Sequence, residues 1–169
     1  MGESWLRNFI PFLSVGEEQQ KDIPFPLQEA AIHTAFKGVQ LGCFVDLLRK
    51  FTVSALIDVR VHKKRLLHSF LKRPVGHKGL IFGPILGPLF GLLYMYTYDL
   101  SNDALYDRCY RLRLNQSQLS VDRLTVVGGL TGLLIFKGRL PGIVYGINGG
   151  LLTHGFLQYV VPKLNHFCY

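Results

Sequence analysis

The stretch Gly79-Leu-Ile-Phe-Gly-Pro-Ile-Leu-Gly-Pro-Leu-Phe-Gly91 decides how the chain is read. Glycine stands at every fourth position, at Gly79, Gly83, Gly87 and Gly91, and proline follows two of them at Pro84 and Pro88. Glycine and proline are the poorest helix formers, so in water this segment has little reason to be helical. Between them stand only Leu, Ile, Phe and Pro, with no charge and no hydrogen-bonding side chain. In a bilayer the balance reverses. Unwinding there exposes backbone N–H and C=O groups to hydrocarbon, which costs more than poor helix propensity. A four-residue period also places all four glycines on one side of a helix, making a flat edge against which a second backbone can lie.

The same spacing recurs at Gly138, Gly142, Gly146 and Gly150, and Gly128 and Gly132 continue it. These ten glycines are the expected helix-packing residues. Around them the chain divides into apolar and charged blocks. Of its 169 residues 49% are hydrophobic, mean hydropathy is positive, and the stretches 79–98, 124–136 and 140–162 carry almost no charge. Such segmentation predicts an all-α membrane protein with four glycine-edged transmembrane helices, at about 27–48, 79–98, 122–136 and 140–162. A polar arm (1–26), a basic connector (49–78) and a short tail (163–169) complete the expected organisation.

Loop charge orients that arrangement. The connector carries Arg49, Lys50, Arg60, Lys63, Lys64, Arg65, Lys72, Arg73 and Lys78 against the single acid Asp58, and the turn after the third span holds Lys137 and Arg139. The segment 99–123 balances four Asp against four Arg. Alternation of this kind places both termini on the same, outer side. The net charge of +8 is thereby explained by topology, without nucleic acid. Lys63, Lys64, Arg65, Lys72 and Arg73 are the candidates for binding acidic phospholipid or partner subunits.

Polar residues inside apolar blocks need partners. Glu29, His33 and Lys37 recur at i, i+4 and i+8 and share a helix face, which must look toward protein, water or headgroups. Asp46 either pairs locally with Arg49 and Lys50 or joins Lys37 and Asn148 in a polar cavity. His154 has room for a hydrogen bond to a neighbouring helix. Ser101, two residues before Asp103, is placed to cap a short surface helix. Cys109 and Cys168 are candidates for a disulfide in an oxidising compartment. No nucleophile elbow, phosphate-cradling loop or metal-spaced His/Cys set occurs, so no catalytic residue, cofactor or metal ligand is expected.

With these features in view, the chain resembles the mitochondrial inner-membrane translocase family. That family includes the channel subunits of the presequence and carrier translocases and an accessory membrane subunit of respiratory complex I. The resemblance spans about 27–162 and is most specific over 121–152. There Asp122, Gly128, Gly132, Gly138, Arg139, Gly142, Gly146 and Gly150 occupy the family's acid, glycine pairs, basic turn and glycine-spaced last helix. The chain departs from the presequence translocase in lacking its N-terminal cysteine signature, and its segment 99–121 is long. The resemblance implies a non-enzymatic multi-pass protein of the mitochondrial inner membrane. It would be an accessory subunit of complex I, or else a translocase component or an assembly factor, and its partners would be other membrane subunits.

Overall fold

The computed structural model describes residues 21–61, 75–98 and 100–160, and throughout these the chain is helical or in short connections. Helix α1 runs Pro26–Val61, α2 Lys78–Tyr98, α3 Asn102–Leu114, α4 Gln116–Ile135 and α5 Leu140–Gly155, which continues as a π-helical turn, Phe156–Val160. Pro26 opens α1 where its missing N–H costs nothing. Ser101 caps α3 by accepting from Ala104 N–H, with Asp103 in the first turn and Arg111 and Arg113 in the last, in keeping with the helix dipole. Asn115 both ends α3 and caps α4, accepting from Gln118 N–H.

Two antiparallel hairpins dominate, α1 with α2 and α4 with α5. The second turns within Lys137–Arg139. Lys137 and Gly138 both adopt positive φ, and the Gly138 N–H donates to Leu133 O at 2.8 Å in the usual left-handed helix ending. Helix α3 bridges the hairpins, lying against α1 and leading into α4.

The four-span architecture is not what the structure holds. Among the described residues one helix, α2, is long and apolar enough to cross a membrane. Its 21 residues rise about 31 Å, close to the hydrocarbon thickness of a bilayer. The other three expected spans fail for different physical reasons. The segment 27–48 is part of a 36-residue helix that carries Glu29, Lys37, Asp46, Arg49 and Lys50 on its length. The segment 122–136 belongs to a helix that begins six residues earlier in Gln116-Ser-Gln and holds Asp122 and Arg123. The segment 140–162 is regular for only 16 residues, about 24 Å, before its hydrogen bonding changes to π. With the four spans goes the basis for placing both termini on one outer side.

The interior is unusual in composition. Among the described residues the buried apolar side chains, Leu119 apart, form two small groups. One gathers Ile23, Ala30, Met95, Leu105 and Cys109 where α1, α2 and α3 meet; the other gathers Cys43, Val75, Val144 and Ile147 between α1 and α5. Glu29, His33, Gln40, Asp46, Lys50, Arg113, Asp122 and Asn148 are buried alongside them. Large apolar side chains lie outside instead, among them Leu41 at 65% exposed, Phe90 at 64% and Leu134 at 79%.

Candidate functional site

The expected packing glycines form two seams. In the first, a methyl group added at Gly42 would lie 2.7 Å from Gly79 Cα, and one added at Gly83 would lie 2.7 Å from Gly38 backbone. Gly87 meets the backbone of Thr34 and Ala35, and Gly91 meets the Thr34 side chain. In the second, Gly128 faces Gly146, Gly132 faces Gly142, and Gly150 faces the backbone of Leu124 and Thr125. Real Cβ atoms do not approach backbone this closely, so only glycine permits these two hairpins their separation. Gly138 is the exception. Nothing lies within 4 Å of its would-be Cβ, and its φ of +77° makes it a turn glycine rather than a packing one. Gly38 and Gly42, also four residues apart, supply the α1 side of the first seam.

The hairpins are joined through charge. Glu29 on α1 and Arg113 on α3, 3% and 2% exposed, form a two-pronged ion pair with Nε–Oε1 at 2.7 Å and Nη2–Oε2 at 2.6 Å. The remaining guanidinium nitrogen, Nη1, donates to Asp22 O at 3.1 Å. Eight residues along α1, Lys37 Nζ donates to Asp122 Oδ1 on α4 at 2.5 Å, and Gln40 Nε2 donates to the same oxygen at 2.8 Å and to Thr125 Oγ1 at 3.0 Å. His33 Nδ1 stands 4.0 Å from Asp122 Oδ2. Burial holds the His33 imidazole below its ordinary value, against the pull of Asp122 and Glu29. The i, i+4, i+8 face therefore looks into the protein, where two carboxylates meet two cations.

The proposed polar cavity of Asp46, Lys37 and Asn148 does not assemble, because each residue is engaged elsewhere. Asp46 Oδ2 accepts from Gly79 N–H at 2.7 Å, capping the start of α2. Asn148 Nδ2 donates to Cys43 O at 3.0 Å, tying α5 to α1. Lys50, expected to pair with Asp46, reaches the Tyr145 hydroxyl, its ammonium 4.8 Å from the ring centre. Cys109 is a buried free thiol that donates to Pro26 O at 3.2 Å, and burial pushes it up to about 11. Cys168, the expected disulfide partner, lies outside the described residues, as do the lipid-binding candidates Lys63, Lys64, Arg65, Lys72 and Arg73 and the connector segment 62–74.

Sequence reasoning did not find Arg113, Gln40 or Thr125. Gln40 continues the Glu29–His33–Lys37 stripe by one more turn and was open to discovery. Arg113 was not, because the break at Asn115 between α3 and α4 hides which turn of α3 faces α1.

A family model matches residues 5–157, nearly the whole chain; its description reads "Protein of unknown function (DUF1757)". The chain belongs to this family. No curated protein matches this DUF1757 chain.

Proposed function

We propose that the chain is a non-enzymatic structural subunit of a membrane-bound assembly, held at the bilayer by α2. What carries this reading is that α2 is both the most apolar helix and one of the least covered, with only Gly79, Gly83 and Met95 of its 21 residues buried. The core helix of a water-soluble protein would show the opposite. Ile81, Phe82, Ile85, Leu89 and Phe90 stand more than half exposed along it. Tyr94, Tyr96 and Tyr98, also exposed, gather at its C-terminal end, as aromatic side chains do at a bilayer interface. The charge network and glycine seams give the helices a rigid relative placement, which suits a part that packs against others.

The assembly is respiratory complex I of the mitochondrial inner membrane, a choice that rests on the sequence resemblance. Lys63, Lys64, Arg65, Lys72 and Arg73 would contact acidic phospholipid or neighbouring subunits. The test is native electrophoresis of mild detergent extracts with antibody detection of the full chain. Co-migration with intact complex I supports the proposal. Migration with a protein translocase alone contradicts it, and presence only on partly built complex I would make the chain an assembly factor. The translocase alternative requires an open polar face, and the separate internal engagement of Lys37, Asp46 and Asn148 weighs against it.

A further inference from the structure

We propose that the groove along the outer side of the α1–α2 seam binds an anionic phospholipid, one acyl chain lying on the glycine floor and the phosphate held by Arg49 and Lys78. The groove encloses about 590 Å³. Its floor is the backbone at Gly38, Gly42, Gly79, Gly83 and Gly87, where the helices meet too closely for side chains to fill the trough. Its walls are apolar and uncovered: Leu41, Val45, Phe82, Leu86 and Phe90 are between 43% and 65% exposed. From Thr34 to Arg49 it runs fifteen residues of α1, about 22 Å, enough for an acyl chain that fills one leaflet of about 15 Å.

Free charge sits at one end of this trough only. Lys37, near the other end, directs its ammonium to Asp122. At the α2 N-terminus Arg49 and Lys78 are both exposed, and no carboxylate among the described residues lies within 4 Å of either. Asp46, the one acid there, is 5% exposed; its Oδ2 accepts from Gly79 N–H, while its Oδ1 and Arg49 Nη2 both border Gly76, which leaves one positive charge in excess at this end. An apolar trough whose one end carries two cations, Arg49 and Lys78, against the single carboxylate of Asp46 complements a molecule with one anionic head and a long apolar tail. A second copy docked trough to trough would bring two more cations against Arg49 and Lys78 and only a further buried Asp46.

The inference rests on the membrane reading of α2, and one set of measurements separates the two. Full chain reconstituted with phosphatidylcholine vesicles containing phosphatidylglycerol is first floated on a density gradient; failure to float overturns both claims. Floated protein is then extracted in mild detergent and titrated with each lipid under native mass spectrometry. The expected result is one retained phosphatidylglycerol, unaffected by inorganic phosphate, with phosphatidylcholine held on the order of tenfold more weakly. The Arg49→Gln/Lys78→Gln double variant should lose that preference. Leu86→Trp, which fills the trough and leaves the cations in place, should retain neither lipid. Variants are compared at equal helicity by circular dichroism. Equal binding of the two lipids, unchanged preference in the double variant, or Leu86→Cys crosslinking to a second copy would each overturn the groove assignment while leaving the membrane reading standing.

Discussion

Gln40 Nε2 and Asp122 Oδ1 lie 2.8 Å apart, and their hydrogen bond joins one glycine-seamed hairpin to the other. Asp122 has no exposed surface and takes a second bond from Lys37, so a single carboxylate oxygen fixes two donors of α1. Asp122→Ala should therefore lower stability by roughly 2–3 kcal/mol, the cost of stranding a buried donor on Gln40 and loosening a half-exposed ammonium. Asp122→Asn, which keeps an acceptor, should cost less. Denaturant midpoints by circular dichroism in detergent check both, and equal losses in the two variants would contradict the role given to the charge.

The Glu29–Arg113 pair is buried more completely and should be costlier to break. Arg113→Met leaves the Glu29 carboxylate without its partner and is expected to cost about 3–5 kcal/mol. Replacing both, as Glu29→Leu/Arg113→Met, should recover most of that loss because no charge is left stranded. A double variant no better than the single would show that the pair does more than compensate itself. The coupling is read from the double-mutant cycle of unfolding free energies.

Three glycines that look alike in sequence should respond differently to alanine. At Gly146 a methyl group would strike the Gly128 backbone, so Gly146→Ala should separate α4 from α5 and cost 2 kcal/mol or more, on the order of an overpacked core. At Gly149 the position is open, and alanine should be neutral or stabilise by up to about 1 kcal/mol through helix propensity. At Gly138 the cost should be about 1–2 kcal/mol from the positive φ alone. The ranking of the three melting temperatures is the readout.

His33 gives stability a pH dependence of known sign. Its folded form holds protons less tightly than the unfolded chain, whose value is the ordinary 6.5, so the unfolded state takes up more protons on acidification. Stability should therefore fall as pH drops below about 6.5 and level off once the lower folded value is passed. Asp122, Glu29, Lys37 and Arg113 face the same imidazole, which is why the test is a difference. The wild-type profile minus that of His33→Gln should show the loss, and parallel profiles would contradict it.

Thiol chemistry reports on the packing of α1 and α3. Cys109, fully buried and pushed up to about 11, should resist iodoacetamide at pH 8 in the folded chain and react once it is unfolded. Mass spectrometry of tryptic peptides distinguishes alkylation at Cys109 from that at Cys168, and fast labelling of Cys109 in the folded chain would refute its placement against Pro26.

How far the sequence foretells this molecule depends on the scale asked about. The glycine period announced close backbone contact, because a spacing of four places small residues on one side of a helix whatever surrounds them. The tight basic turn after residue 136 likewise announced the α4–α5 hairpin. Spans were over-read, since apolar blocks separated by charge look the same whether each crosses a bilayer or merely turns an apolar face outward. Asp122 shows why: it sits at the edge of an apolar block, where a span would be expected to begin, yet lies inside a helix with Lys37 and Gln40 as its solvent. Long-range partners such as Arg113 are invisible to a periodicity argument, because their meeting depends on how α3 leaves α2 and enters α4.

The central claim, that α2 is the element meeting the bilayer, is tested most directly by spin labels along that helix. Full-length chain labelled singly at Ile81→Cys, Ile85→Cys or Leu89→Cys and reconstituted in liposomes is probed for relaxation by oxygen and by a water-soluble nickel chelate. The account predicts high oxygen and low nickel accessibility at Ile85 and Leu89, with nickel accessibility rising at Ile81 toward the Lys78 end. Nickel accessibility at Ile85 equal to that of an exposed surface site such as Arg111 would contradict it.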